Sequence, residues 1–177
     1  AVARHRSGGE SAHRAAAERH GWLGLLGNSV LDLVLEEAQE VAHDIGGTAM
    51  VADVSDATSV EEAFEKFGET PDVLINNAGI LRTGSLLEHG DEDFRRVIDV
   101  NLTSVFIASQ VAARRMKEAA GGSIINMSSV NGINPSTNCG AYATAKTGVI
   151  ALTKQMSMEW GEHNIRVNSI APGFIDA

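Results

Sequence analysis

Residues 122–146 contain a strand pattern, a turn-rich segment and a helix pattern in direct succession, and this stretch constrains the fold most. The two isoleucines at 124–125 form a short β-branched run after two glycines, which is typical of a buried strand. This strand is predicted to end at Ser128-Ser129, and the Asn, Gly and Pro residues between 131 and 140 then predict turns. We expect a helix to begin near Ala141.

Tyr142 and Lys146 lie four residues apart on this predicted helix, so their side chains share one face and are one turn apart. Because an ammonium near a phenol favours the phenolate, we expect Lys146 to lower the pKa of Tyr142 below its reference value of about 10. A hydroxyl at the end of the preceding strand could then share a substrate oxygen with Tyr142. The same spacing is also common on ordinary amphipathic helices, so a purely structural interpretation stays open.

Further motifs accompany this pair in a fixed order along the chain. Asn-Asn-Ala-Gly at 76–79 follows an apolar run, Asn101 lies in a long helix predicted over 91–118, Ser129 precedes Tyr142 by thirteen residues, and Pro172-Gly173 follows 168–171. Together these residues resemble the short-chain dehydrogenase/reductase family over roughly residues 32–176.

The resemblance implies an α/β fold with a doubly wound, mostly parallel Rossmann-like sheet, here expected to be incomplete at both ends. It also implies hydride transfer between a nicotinamide cofactor, NAD with NADP possible, and the carbonyl or alcohol of a small molecule. Tyr142 would be the general acid/base, and Lys146 would supply positive charge and hold the nicotinamide ribose. Ser129, favoured over Ser128 by its spacing to Tyr142, would stabilise the developing alkoxide, and Asn101 would support a proton relay.

The resemblance also implies a set of cofactor-binding residues. Asp32, at the end of a strand predicted over 30–32, would accept hydrogen bonds from the adenosine ribose and disfavour a 2′-phosphate, although a solvated strand-end aspartate is the alternative. For the motif at 76–79 and for Asn101, structural roles are the alternatives, in the case of Asn101 a hydrogen bond to a kinked backbone. The complete predicted set is Asp32, Asp53, Val54, Asn77, Ala78, Gly79, Tyr142, Lys146, Pro172, Gly173 and Ile175.

The predicted organisation is one Rossmann-like domain over 29–177, preceded by an atypical segment over 1–28. In the family this first segment carries a strand and a glycine-rich phosphate loop, whereas here Gly21, Gly24 and Gly27 recur every three residues without a preceding strand pattern. One hypothesis is that the first codons are read out of frame. At the other end, Ala177 stands where the family usually has a threonine, so we expect a truncated C-terminus. The alternative function is therefore a non-catalytic family fragment that acts only as an oligomer subunit.

Composition narrows the remaining possibilities for partners and compartment. The chain has 177 residues and a formal net charge of −9, which suits one domain and disfavours nucleic acid and anionic membranes as partners. Cys139 is the only cysteine, so no internal disulfide can form and a cytoplasmic location is expected. We expect a small-molecule alcohol or ketone as substrate, a homodimer or homotetramer, and no metal.

Overall fold

The computed structural model describes residues 23–26 and 29–175. Its six strands are β1 (Leu23–Leu26), β2 (Ser29–Asp32), β3 (Thr48–Val51), β4 (Val73–Asn76), β5 (Gly122–Met127) and β6 (Ile165–Ile170). Its five α-helices are α1 (Leu35–Ile45), α2 (Ala57–Phe67), α3 (Asp91–Ile98), α4 (Ser104–Lys117) and α5 (Gly140–Trp160). A π-helical turn, Asp99–Thr103, joins α3 to α4, and short 3-10 helices lie at Val130–Gly132 and Gly161–His163.

The strands from β2 onwards pair in parallel, as predicted. β2 pairs with β3, and β5 lies between β4 and β6, with Asn76 opposite Asn126. Each connection between successive parallel strands contains at least one helix, which is the pattern of a Rossmann-like α/β fold. β2 and β3 run in the same direction, and so do β4, β5 and β6. The residues that follow the strands of one sheet therefore lie along the same edge of that sheet.

The described part of the atypical first segment is a strand, β1. It pairs antiparallel with β2, with Leu23 opposite Leu31, and its backbone also lies close to β4. No strand is predicted there from the sequence, yet three of the four residues are leucines that can join a sheet. Only two residues separate β1 from β2, and so short a connection favours an antiparallel hairpin over the parallel crossover typical of the family. The prediction about a glycine-rich phosphate loop concerns Gly21 and Gly27, which lie outside the described residues.

The long helix predicted over 91–118 is interrupted by the π-helical turn at Asp99–Thr103. The Asn101 side chain explains part of this interruption, because its Nδ2 donates to the Val97 carbonyl, 2.9 Å away. The backbone N–H of Ser104 instead reaches Asp99, five residues earlier. A local change of helical pitch of this kind rotates the residues around it relative to a regular helix.

The core lies between the β4–β5–β6 sheet and the helices packed on it. Its largest fully buried side chains come from both helices and strands. They include Phe64, Leu74, Met116, Ile124 and Ile165. A smaller cluster of Val30, Ala38 and Ala42 packs α1 against β2. Within the described residues, no helix combines the length and the apolar character needed to cross a membrane.

Candidate active site

Three of the four predicted catalytic residues meet where β5 ends and α5 begins. Ser129 follows β5, and its side chain is hydrogen bonded to that of Tyr142, in the first turn of α5. Lys146 lies one turn further along α5, with Nζ 5.6 Å from the centroid of the Tyr142 ring. The Tyr142 side chain is therefore near both the Ser129 hydroxyl and the Lys146 ammonium.

The Lys146 side chain is only 3% exposed, which is unusual for a lysine. Its Nζ donates a 2.8 Å hydrogen bond to the Met127 carbonyl, the last residue of β5. Burial disfavours the charged amine and lowers the pKa of Lys146 from 10.5 to about 8. At neutral pH the amine therefore still carries its proton, but it holds that proton less tightly than a surface lysine does.

The expectation that Lys146 lowers the pKa of Tyr142 is wrong for this structure. Burial of the phenol is the largest influence and raises the pKa of Tyr142, while the hydrogen bond to Ser129 lowers it and the charge interaction with Cys139 raises it. The phenol is accordingly protonated at neutral pH.

Asn101 is fully buried in the π-helical turn. Its Nδ2 donates to the carbonyls of Ile80 and Val97, both at 2.9 Å, which is the predicted structural alternative of an amide bonded to kinked backbone. Its Oδ1 is buried and accepts no hydrogen bond from the described residues. A Cβ at Gly79 would lie 2.7 Å from this Oδ1 and 3.5 Å from Lys146 Nζ, so the amide oxygen and the ammonium border the same glycine.

The two serines at the end of β5 have different surroundings. Ser128 is buried and donates its hydroxyl to the Lys146 carbonyl at 2.8 Å, so it ties the strand end to α5. Ser129 accepts from the Asn131 N–H at 3.1 Å and also contacts Tyr142. The geometry therefore supports the choice of Ser129 over Ser128 as the residue beside the phenol.

The residues predicted for the adenosine end lie at the carboxyl ends of β2 and β3. Asp32 is only 1% exposed and accepts from the Val34 N–H at 2.9 Å, so the alternative of a solvated strand-end aspartate is wrong. The Asp53 carboxylate accepts from both the N–H and the hydroxyl of Ser55. Asp32, Asp53 and Val54 line one small cavity of about 20 Å³, together with Leu33, Ala52, Arg96 and Val100.

The remaining predicted cofactor residues follow β4 and β6. Ala78 is buried, Asn77 is partly buried, and Gly79 is partly buried beside Asn101. The Pro172 carbonyl accepts from the Val130 N–H at 2.8 Å, which ties the segment after β6 to the turn that follows Ser129. Gly173 and Ile175 are exposed, and the prediction for Ala177 lies outside the described residues.

A buried polar network beneath the site was not predicted from the sequence. Asn76 Nδ2 donates to Ser109 on α4 and to Asn126 on β5, both at 2.8 Å, and Asn126 donates to Thr153 on α5 at 2.9 Å. All four side chains are buried. The sequence does contain a signal for this network, namely a polar residue within an apolar strand or on the apolar face of a helix. Such a residue must find a buried hydrogen-bond partner.

The chain is similar to known proteins in both sequence and fold. The chain matches the family described as short chain dehydrogenase over residues 15–177. It belongs to the short-chain dehydrogenase family. The prediction from the sequence motifs is therefore confirmed, and so is the Rossmann-like fold class.

Several relatives of known activity or structure are similar to the chain. The trans-4-hydroxycyclohexanecarboxylate dehydrogenase of Sinomonas cyclohexanicum is 42% identical over 161 residues, which cover 82% of this chain and 61% of that protein. The gluconate 5-dehydrogenase of Burkholderia cenocepacia, solved with NADP and tartrate, superposes with a TM-score of 0.78 at 33% identity, covering 83% of this chain and 61% of that one. An NAD⁺-bound xylitol dehydrogenase gives a TM-score of 0.77 at 31% identity, with 83% and 60% covered. The chain thus spans about three fifths of the length of these proteins.

Gly79→Ala tests the packing of Asn101 against Gly79. The added Cβ would lie 2.7 Å from Asn101 Oδ1, so either the amide or the backbone at Gly79 must shift, which disturbs the two hydrogen bonds of the amide. We expect a loss of about 2 kcal/mol in the free energy of unfolding, measured by urea denaturation. Gly161→Ala is the control, because a Cβ added there would meet no atom within 4 Å, and its effect should stay within about 0.5 kcal/mol.

The same substitution in an Asn101→Ala background separates this contact from a general effect at Gly79. Without the amide oxygen the clash disappears, so Gly79→Ala should lower the free energy of unfolding much less in this background than in the parent. An equal cost in both backgrounds would contradict the proposed contact.

Proposed function

We propose that the protein is an NAD(P)-dependent oxidoreductase that transfers a hydride between a nicotinamide cofactor and the carbonyl or alcohol of a small-molecule substrate. The observation that carries this proposal is the Tyr142 phenol, hydrogen bonded to Ser129 and adjacent to the buried Lys146 ammonium. This group lies at the carboxyl ends of parallel strands, where Rossmann-like folds bind their ligands. The similar proteins described above are dehydrogenases by name.

The described residues fit a dinucleotide at both ends of this edge. At the nicotinamide end, the absence of a Cβ at Gly79 allows the buried Asn101 Oδ1 to pack against its backbone, and this oxygen accepts no hydrogen bond from the described residues. Lys146 Nζ borders the same glycine and would hold the nicotinamide ribose. At the adenosine end, Asp32 would accept from the ribose, and Asp53 and Val54 would meet the base. Pro172, Gly173 and Ile175 would cover the nicotinamide, while Asn77 and Ala78 would lie beside the ribose.

Tyr142 would act as the general acid when a carbonyl is reduced. Since burial raises the pKa of Tyr142, the phenol holds its proton at neutral pH and can donate it to the substrate oxygen as negative charge develops there. The bound nicotinamide supplies or accepts the hydride. The Ser129 hydroxyl would donate a second hydrogen bond to the same oxygen, and it is already placed beside the phenol.

Lys146 would stabilise the phenolate that remains after proton transfer. Its amine is charged at neutral pH because burial lowers its pKa only to about 8. In the buried surroundings of Lys146, this charge acts more strongly than it would in water. Asn101 would support the relay by accepting a hydrogen bond at Oδ1 from a water molecule next to Lys146.

NAD is the proposed cofactor, with NADP possible. Asp32 is a buried residue at the end of β2, where a carboxylate disfavours a 2′-phosphate. The similar structures include one bound to NAD⁺ and one bound to NADP, so both cofactors are compatible with this fold.

A homodimer or homotetramer in the cytoplasm is the proposed form of the protein. A groove of about 580 Å³ between the π-helical turn, α4 and α5 is lined by apolar and small side chains, and Phe106 in it is 43% exposed. Such a surface between two long helices suits a second copy of the chain. The non-catalytic alternative is not favoured, because the similar proteins described above are dehydrogenases by name.

Tyr142→Phe is the decisive variant for the acid/base role. It removes only the phenolic oxygen, so we expect the rate of NADH-dependent ketone reduction to fall by about 100-fold or more. The NADH dissociation constant, measured by nucleotide fluorescence, should stay within about twofold because the ring is kept. Thr144→Ala, an exposed change on the same helix, is the control. Retention of most of the turnover by the phenylalanine variant would show that the proton comes from another group.

Asp32→Asn tests the proposed cofactor preference. The amide keeps an oxygen for the Val34 N–H but lacks the charge that repels a 2′-phosphate. We expect the parent to bind NADH more tightly than NADPH. In the variant, the ratio of the NADPH to the NADH dissociation constant should fall about fivefold. Asp44→Asn, at an exposed position on α1, should leave the ratio unchanged. Equal affinity of the parent for the two cofactors would refute the preference.

A further inference from the structure

Arg96, on α3, is connected to the adenosine end of the proposed site through a chain of hydrogen bonds. Its Nη1 donates to the Ser55 hydroxyl at 2.8 Å. That hydroxyl donates to Asp53 Oδ1 at 2.6 Å, and the Ser55 N–H donates to the same oxygen at 2.9 Å. The orientation of the Asp53 carboxylate is therefore coupled to the position of the guanidinium.

The same arginine is placed beside Asp32. Arg96, Asp32 and Asp53 all line the cavity of about 20 Å³, although they come from three different parts of the chain. A space of this size holds about one water molecule and is much smaller than an adenine ring, so an adenosine could only lie outside it. Arg96 is therefore linked to Asp53 through Ser55, and it lines the same cavity as Asp32.

We propose that Arg96 is a specificity-determining residue at the adenosine end, and that its charge sets how well a 2′-phosphorylated adenosine is tolerated next to Asp32. This inference rests on the proposed function, which assigns a dinucleotide to this edge of the sheet. Asp32 alone repels a 2′-phosphate, whereas the guanidinium attracts it and presents donors in a planar fork suited to phosphate oxygens. Through Ser55 the same side chain holds Asp53 for the base.

Arg95 provides a matched control for the charge of Arg96. The two arginines are adjacent on α3 and both exposed. Arg95 lines a different cavity, with Asp91, Phe94, Ile98 and Asp99. Neutralising either arginine changes the net charge of the protein equally, so only a local effect distinguishes Arg96→Gln from Arg95→Gln.

Binding of two nicotinamide-free probes to the full chain tests the inference by calorimetry. The probes are adenosine 5′-monophosphate and adenosine 2′,5′-bisphosphate, which differ only in the 2′-phosphate. We expect Arg96→Gln to weaken bisphosphate binding about fivefold more than monophosphate binding. Arg95→Gln should change the ratio of the two dissociation constants by less than about twofold. Arg96→Lys keeps the charge and should retain most of the parent ratio.

The outcomes separate this inference from the proposed function. Equal ratios for Arg96→Gln and Arg95→Gln would overturn the role of Arg96, while the effect of Tyr142→Phe on turnover would still stand. If neither probe binds the parent at millimolar concentration, both the inference and the assignment of a dinucleotide to this edge are overturned. A selective loss in Arg96→Gln with unchanged thermal unfolding supports the inference.

Discussion

The arrangement of the site depends on keeping one ammonium, that of Lys146, out of water. Burying an amine is unfavourable unless polar groups compensate for the lost hydration. The Met127 carbonyl at the end of β5 gives it a direct hydrogen bond, and Gly79 borders both the ammonium and the amide oxygen of Asn101. The strand end, the loop after β4 and the π-helical turn therefore converge on one side chain of α5.

Maintaining this convergence requires α4 and α5 to keep their positions along the sheet. The buried network of Asn76, Ser109, Asn126 and Thr153 links both helices to β4 and β5 by side-chain hydrogen bonds. Thr153 lies seven residues, about two turns, after Lys146, so it holds the same helix deeper in the core. A fully apolar core would pack these elements without specifying their relative positions as closely, whereas hydrogen bonds between fixed partners do specify them.

The elements dominated by local patterns could be predicted from the sequence, and those that depend on distant contacts could not. The short apolar runs identify β2, β4 and β5, and Gly46 ends α1 in the left-handed conformation typical of a C-cap glycine. The four-residue spacing of Tyr142 and Lys146 correctly places them on one face of α5. The direction of the Tyr142 pKa shift was missed because its largest cause is burial of the phenol, which depends on the packing around it. The role inferred for Arg96 needed a contact with Ser55, 41 residues away in sequence.

The most direct test of a buried ammonium at the centre of the site is the pKa of Lys146, measured by NMR from the pH dependence of its Cε resonance and assigned with Lys146→Met. We expect a value of about 8, below the ordinary 10.5. Because the unfolded chain keeps its proton up to the higher value, folding should become more favourable as pH rises from about 8 towards 10.5, and Lys146→Met should lose this dependence. A measured pKa near 10.5 would mean that the amine is solvated, and it would contradict the central role given to its burial.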